Sequence, residues 1–209
     1  MSSYPVHAYP SPRAVMSFQE YIGWFAKAER WHFSEGWDHF ETRATMAEYS
    51  LWVLQEPKRW LLDGLPVDEA LNVLETMPRP SGDNRLPKEL RLEIARAELN
   101  VFEQIFEPLI CGPVTDSYSK LTSLCFMWWD LGGWKDPEIA QVFREIFATL
   151  LQSSCRAIQE AALHGLGHHI CLTSDPLAKN LVDRFLETHQ GADHELIRYA
   201  RSARNGNVL

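Results

Sequence analysis

Hydrophobic residues recur three and four positions apart along most of the chain, the spacing that turns one face of an α-helix toward a core. The pattern begins at Phe18 and continues through Tyr21, Ile22 and Phe25. It is clearest in a later run formed by Ile139, Val142, Phe143, Ile146, Phe147 and Leu150. The sequence therefore predicts an all-α protein, with about nine helices.

Proline-rich segments divide these helices. Residues 1–16 contain three prolines, which predicts an extended N-terminal arm because proline disfavours helix at its own position and at the preceding one. Residues 78–87 also contain three prolines and form the clearest loop, so any subdomain boundary is expected there. We expect a helical N-terminal part over 17–110 and a second helical part over 116–206, within one continuous domain.

The second half contains one unit written twice. Segment 129–133 reads WDLGG and segment 164–168 reads HGLGH. Each is followed by an Asp-Pro pair, at 136–137 and 175–176, so the two pairs are 39 residues apart. Aspartate is a favoured helix N-cap and proline suits the first helical position. The pattern predicts that a helix starts at each Asp-Pro pair, and it indicates a helical repeat.

The second copy carries a family resemblance. A helix that ends in ALHGLG at 162–167, a loop, the Asp-Pro pair at 175–176 and a further amphipathic helix resemble HEAT-like repeats, whose period is about 40–47 residues. The resemblance covers roughly residues 116–206. It implies pairs of helices stacked into a curved, right-handed α-solenoid. The helix expected over His194–Arg204 has no following partner, as in the capping unit of a repeat stack.

Composition narrows the classes of function. The formal net charge of −8 argues against nucleic acid and anionic membranes as partners and favours a protein with a basic surface. No run approaches the roughly 20 apolar residues of a membrane-spanning helix, and no secretion signal opens the chain. The four cysteines form no Cys-x-x-Cys pair, which is typical of free thiols. We expect a cytoplasmic location.

The leading functional hypothesis is a non-enzymatic recognition or adaptor protein. In a helical-repeat solenoid, the second helix of each unit is expected to line a concave surface, which would be acidic here. This inference is an analogy at the level of the fold. The candidate contact residues are the solvent-side positions of two such helices: Glu138, Gln141, Glu145, Lys179 and Asp183. This hypothesis requires no cofactor.

Three tryptophans are further candidates for partner contacts. Trp31 and Trp37 stand on either side of an expected helix break, among polar neighbours. Trp128 continues the apolar stripe of its helix, and adjacent helical residues cannot point the same way. Trp129 is therefore expected to reach the groove or a neighbouring repeat. Core packing is the other interpretation of the many aromatic residues.

The alternative hypothesis is a metal-dependent α-helical enzyme. Glu160, His164 and His168 fall on one side of a helix, and two histidines four residues apart can chelate zinc. Gly165 and Gly167 interrupt this arrangement, because glycine favours helix ends. We therefore expect the helix to end near them and His168 to lie beyond the last turn. The cofactor would be iron or zinc.

Two weaker patterns bear on the same alternative. His194-Glu195 resembles the His-Glu dyads of deoxyhypusine hydroxylases, HEAT-like enzymes in which such dyads bind two irons. The resemblance implies several dyads, and this sequence contains one. Glu29 and His32 have the Glu-x-x-His spacing found in helix-bundle di-iron proteins, but no second pair occurs.

Overall fold

A computed structural model describes residues 17–27, 40–110, 120–131, 134–189 and 193–208. Across these ranges the protein is all-helical, with ten α-helices and no β-strand, which confirms the predicted class. The helices are α1 Phe18–Lys27, α2 Phe40–Gln55, α3 Val67–Thr76, α4 Lys88–Val101, α5 Glu107–Leu109, α6 Lys120–Phe126, α7 Pro137–Leu150, α8 Arg156–Thr173, α9 Pro176–Thr188 and α10 His194–Arg204. Short π-helical turns cover Lys58–Leu62 and Phe102–Phe106, and 3-10 turns cover Pro80–Gly82 and Met127–Leu131.

Packing between the helices follows two rows. In one row α1 contacts α3, α3 contacts α6, α6 contacts α8 and α8 contacts α10. In the other row α2 contacts α4, α4 contacts α7 and α7 contacts α9. Helices of different rows also pack against each other, since α8 contacts both α7 and α9. Each row therefore runs along the length of the described chain.

One cluster of buried apolar side chains lies between these helices. It extends from Tyr21 in α1 to Val208 after α10. Its largest fully buried members include Trp128, Trp129 and Phe147, all close to the boundary between α6, α7 and α8. Aromatic side chains bury large areas, so this boundary is one of the most extensively packed parts of the molecule.

The Asp-Pro pairs start helices as predicted. The Asp136 side chain accepts from the backbone N–H groups of Glu138 and Ile139, and the Asp175 side chain accepts from that of Leu177. Asp193 caps α10 in the same way. An arginine from an earlier helix pairs with each of these three caps: Arg91 with Asp136, Arg144 with Asp175 and Arg156 with Asp193.

The glycines of segment 164–168 do not end a helix, so that prediction is wrong. Helix α8 continues through Gly165 and Gly167 to Thr173. A Cβ at Gly165 would lie 2.6 Å from the Phe147 ring and 2.8 Å from Cγ of Trp129. One at Gly167 would lie 2.1 Å from a methyl group of Val208. The glycines are present because neighbouring side chains press against α8 on both sides.

The C-terminal end follows the prediction. Helix α10 covers His194–Arg204, and Gly206 adopts a positive φ of 72°, which glycine accommodates without strain. No helix in the described part of the chain is long and apolar enough to span a membrane. The N-terminal arm predicted over 1–16, and the candidates Trp31, Trp37, Glu29 and His32, lie outside the described residues.

Candidate metal centre

Three side chains bring metal-binding atoms together near the middle of α8. Nε2 of His164 lies 3.1 Å from Oδ1 of Asp130 and 3.1 Å from Nε2 of His168. The third side of this triangle, from Nε2 of His168 to Oδ1 of Asp130, measures 3.4 Å. These residues, called the Asp130–His164–His168 cluster below, form the only such group found among the described residues.

Helix α8 sets the spacing of the two histidines. Residues four apart in an α-helix lie one above the other on the same face. Because α8 is unbroken between them, His164 and His168 keep this arrangement, and their ring centroids are 4.6 Å apart. The close approach at Gly165 brings α8 against Trp129, the residue that precedes Asp130. The intervening glycine therefore contributes to bringing the histidines to the carboxylate.

Asp130 lies on the 3-10 turn Met127–Leu131, which two buried tryptophans anchor. The indole N–H of Trp128 donates to Glu98 at 3.0 Å. Trp129 stacks on Phe102, with ring centroids 5.1 Å apart and planes 7° from parallel. With its neighbours fixed in this way, the exposed end of the turn holds the Asp130 carboxylate over α8.

His164 is the buried member of the cluster, with 3% of its side chain exposed. Its second ring nitrogen, Nδ1, lies 2.8 Å from the hydroxyl of Tyr199 in α10. The Phe126 ring covers the imidazole, with centroids 4.2 Å apart. Burial raises the pKa of Tyr199, and Glu160 and Asp130 raise it further, so the hydroxyl keeps its proton. Both nitrogens of His164 therefore have partners.

His168 and Asp130 are partly exposed to solvent, with 25% and 30% of their side chains accessible. Partial burial lowers the pKa of His168, and the neighbouring His164 lowers it further, against an opposing effect of Asp130. The neutral imidazole is the form whose nitrogen can bind a metal ion. The cluster thus has a buried side at His164 and an accessible side at His168.

The other residues of the predicted metal set lie elsewhere. Glu160 binds Arg156 at 2.7 Å and takes no part in the cluster. His194 and Glu195 are exposed at the start of α10, where Glu195 pairs with Arg198. The expectation that these three residues supply ligands is wrong for this arrangement of the side chains. Asp130 provides the carboxylate instead.

Several predicted contact residues lie along a surface groove of about 910 Å³ between α7 and α9. Gln141, Glu145 and Asp183 line it, and Gln141 donates to Glu145 at 3.1 Å. Glu138 and Lys179 do not line the groove. Glu138 pairs with Lys88, and Asp183 pairs with Arg204. Two of the predicted acidic contacts are therefore already engaged within the chain.

Trp129 faces no groove, which corrects that part of its prediction. It is 1% exposed and packs edge-on against Phe143 and Phe147, at centroid distances of 5.6 and 4.8 Å. Its indole nitrogen, like Nδ1 of the buried His169, has no hydrogen-bond partner in the described structure. The residue joins the turn that carries Asp130 to α7, so its role is in packing.

Comparison with known proteins adds no further assignment. No protein-family model, no curated protein and no solved structure matches the chain.

Proposed function

We propose that the protein binds one divalent transition-metal ion, zinc or iron, through the Asp130–His164–His168 cluster. The observation that carries the proposal is the triangle of ligand atoms, with sides of 3.1, 3.1 and 3.4 Å. Two atoms each about 2.1 Å from a common ion lie about 3.4 Å apart in a tetrahedral site and about 3.0 Å apart in an octahedral one. Two imidazoles and a carboxylate suit zinc and non-haem iron alike.

The position of His168 distinguishes this proposal from a purely structural hydrogen-bond network. His164 alone needs no ion, because Asp130 and Tyr199 satisfy its two nitrogens. His168 places a third metal-binding atom at the same point, at the side where the cluster meets solvent. Two imidazole nitrogens and a carboxylate oxygen that converge on one point, with one side open to solvent, are the arrangement that a cation between them requires.

The number of ligands favours chemistry over a structural role. Structural zinc sites have four protein ligands, whereas catalytic sites have three and keep a position for water or substrate. The cluster has three, and its open side is at His168 and Asp130. A bound ion would lower the pKa of a coordinated water and polarise a substrate oxygen. We therefore propose a metal-dependent enzyme, the alternative that the sequence left open.

Tyr199 would orient the first ligand. Metal binding through Nε2 of His164 leaves the ring proton on Nδ1, which then donates to the Tyr199 hydroxyl 2.8 Å away. Such partners fix the tautomer and the ring orientation of a ligating histidine.

Metal content tests the proposal. The full chain, purified without a His tag and stripped with a chelator, is incubated with Zn²⁺ or, under anaerobic conditions, Fe²⁺. Protein-bound metal is then measured by mass spectrometry after gel filtration. We expect one ion per chain for the wild type and for His194→Ala, and no retained ion for His164→Ala or His168→Ala. Wild type without bound metal, or equal retention in all four proteins, would contradict the proposal.

The fold proposal is a HEAT-like stack of helix pairs. It is supported by the two rows of helices, in which each member contacts the next member of its own row. The repeated pairing of a helix N-cap aspartate with an arginine from an earlier helix supports it as well. A cytoplasmic location belongs to the same proposal. Its support is the free thiols of Cys125, Cys155 and Cys171, which suit a reducing compartment.

Recognition of a protein partner is a second candidate function, favoured by the groove between α7 and α9. Its lining includes Glu145 and Glu187 as well as Arg184, while Arg144 and Asp183 pair with residues outside the lining. Two carboxylates against one such guanidinium suit a basic partner segment. Reversing the charge at both positions to lysine should weaken binding of such a partner. Glu93→Lys, on the exposed side of α4, is the control. Unchanged binding after reversal in the groove would exclude this surface.

A further inference from the structure

A second cavity, of about 620 Å³, lies between the turn Pro80–Gly82 and the segment before α7. We call it the Arg79 pocket, because Arg79 lines it together with Arg85, Lys135, Asp83 and Asp136. One wall is the 3-10 turn Pro80–Gly82 and the residues that follow it, and the other is the segment that leads into α7. The cavity opens at the surface, so small molecules can reach it.

Two residues connect the Arg79 pocket with the cluster. Asp130 is near enough to Arg79 to raise the pKa of the guanidinium, although burial lowers that pKa more strongly. Leu172, at the edge of the pocket, follows His168 by one turn of α8 and is 61% exposed. Arg79 also donates to the carbonyl of Trp128, two residues before Asp130. The pocket is therefore connected to the cluster through the turn that carries Asp130 and through the last turn of α8.

The carboxylates of the pocket are already paired. Asp83 accepts from Arg43 at 2.6 Å and from Arg85 at 2.8 and 3.0 Å. Asp136 caps α7 and pairs with Arg91. Neither carboxylate is left to neutralise a further cation, although the protein as a whole carries a net charge of −8.

The remaining cations, Arg79 and Lys135, are available to a ligand. Lys135 is exposed and has no ion-pair partner anywhere in the described ranges. Arg79 lies flat over Trp128, 3.9 Å from the ring centroid, and donates to the backbone carbonyl of the same residue. A guanidinium has five N–H donors, so others remain for an anion. Its planar fork matches the oxygen atoms of phosphate and carboxylate groups.

One buried acid acts on Arg79. Glu98 is 3% exposed and accepts from the Trp128 indole at 3.0 Å. Burial raises the pKa of Glu98 to about 7, while Arg79 acts in the opposite direction. Lys135 has no such counter-charge in the described ranges, so it is the cation that an anion in the pocket would pair with first.

We propose that the Arg79 pocket binds the anionic group, phosphate or carboxylate, of a small molecule whose other end reaches the metal cluster. Anion binding in the pocket depends only on the residues that line it. The further step, in which the bound molecule contacts a metal ion, rests on the proposed function. The enzyme's substrate would accordingly be a small anion, held by Arg79 and Lys135 while the ion acts on the adjacent part.

Calorimetric titration of the full chain with inorganic phosphate and with malonate tests this inference. The wild type is compared with Lys135→Gln in the pocket and with the control Lys179→Gln in α9. Each is titrated with and without zinc. A charge-assisted hydrogen bond contributes about 1.5–3 kcal/mol, so Lys135→Gln should bind the preferred anion at least about tenfold more weakly. Lys179→Gln should bind like the wild type. The tighter of the two probes identifies the anionic group.

Further titration of His164→Ala separates the two proposals. If the pocket binds anions, the His164→Ala variant still binds the probe without zinc, and adding Lys135→Gln to that variant weakens the binding. This result is expected even where the metal proposal fails. The pocket proposal is overturned if neither anion binds, or if Lys135→Gln and Lys179→Gln behave alike. Binding that requires zinc and ignores Lys135 overturns it too, because the anion then ligates the ion directly.

Discussion

Segments 129–133 and 164–168 look like two copies of one unit, yet the structure places them in different surroundings. Residues up to 131 in the first copy belong to a 3-10 turn at the end of α6. The second copy lies inside α8, an unbroken helix of 18 residues. Similar sequences therefore adopt different backbone conformations. In the second copy Phe147, Trp129 and Val208 leave no room for a side chain at the glycines.

The difference between the copies accounts for the cluster. A turn end can present a carboxylate to a neighbouring helix, and a continuous helix can present two histidines one turn apart. Asp130 comes from the first copy, and His164 and His168 from the second, with 34 residues between Asp130 and His164. Neither copy carries the centre alone. Four sets of substitutions can break or sharpen this comparison.

The largest effect is expected from removing the Asp130 carboxylate, which belongs to the first copy. Asp130→Ala should weaken zinc binding more than about 100-fold, because losing even an outer partner of a ligand typically costs 10–100-fold. The matched control is Glu160→Ala, which removes an acid predicted as a ligand that binds Arg156 instead. Competition with a chromophoric chelator measures both affinities. Equal affinities for the two variants would mean that Asp130 is not a ligand.

Alanine substitutions at the two glycines of the second copy should differ in their effect on the free energy of unfolding. Gly165→Ala forces a methyl group against the aromatic rings of Phe147 and Trp129, so we expect a loss of about 3 kcal/mol, the upper range for overpacking. At Gly167 the three atoms nearest to an added methyl group all belong to Val208, which lies beyond the last helix, and alanine gains about 1 kcal/mol of helix propensity. The net change for Gly167→Ala should stay within about 1 kcal/mol. Urea unfolding followed by circular dichroism measures both, and the reverse order would refute this account of the glycines.

Alanine substitutions at two of the three N-cap aspartates should also differ in their effect on the free energy of unfolding. Asp136→Ala removes a cap and the contact with Arg91, a loss of about 1 kcal/mol. Asp175→Ala also strips the buried His169 of its 2.8 Å partner and Arg144 of its 2.6 Å one, so about 2 kcal/mol is expected. Chemical denaturation at neutral pH compares them. A larger loss at Asp136 would show that these extra contacts contribute little.

A smaller effect on zinc binding than that of Asp130→Ala is expected at Tyr199. Tyr199→Phe keeps the ring but removes the hydroxyl 2.8 Å from Nδ1 of His164, so zinc affinity should fall about tenfold, with one ion still bound. Tyr49→Phe, in the aromatic cluster near α1, serves as the control. Equal zinc affinity of Tyr199→Phe and the wild type would show that the Tyr199 hydroxyl does not support the metal site.

Local sequence patterns predicted the features that local chemistry determines. The N-cap role of Asp136 and Asp175 follows from an Asp-Pro pair before a periodic helix, and the structure confirms it. The end of α10 was predictable from another local signal, the Asn205-Gly206 pair that follows its last residue. The glycines were misinterpreted because Phe147 and Val208, which decide their role, lie elsewhere in the sequence.

The cluster could be predicted only in part. His164 and His168 follow from their four-residue spacing, but Asp130 depends on the packing of the 3-10 turn Met127–Leu131 against α8. The likeness of segments 129–133 and 164–168 contained a usable signal, because it places Asp130 and the two histidines within one pattern. No comparable sequence pattern indicated Tyr199, which lies in α10.

X-ray absorption at the metal edge tests the central claim most directly. The wild-type chain is loaded with one equivalent of zinc, and the extended fine structure reports the ligand types and distances. We expect two imidazoles and further oxygen ligands at about 2.0–2.1 Å, with no sulfur. The Asp130→Ala variant should retain both imidazoles if it still binds zinc. A wild-type spectrum with a sulfur ligand or fewer than two imidazoles would contradict a centre built from Asp130, His164 and His168.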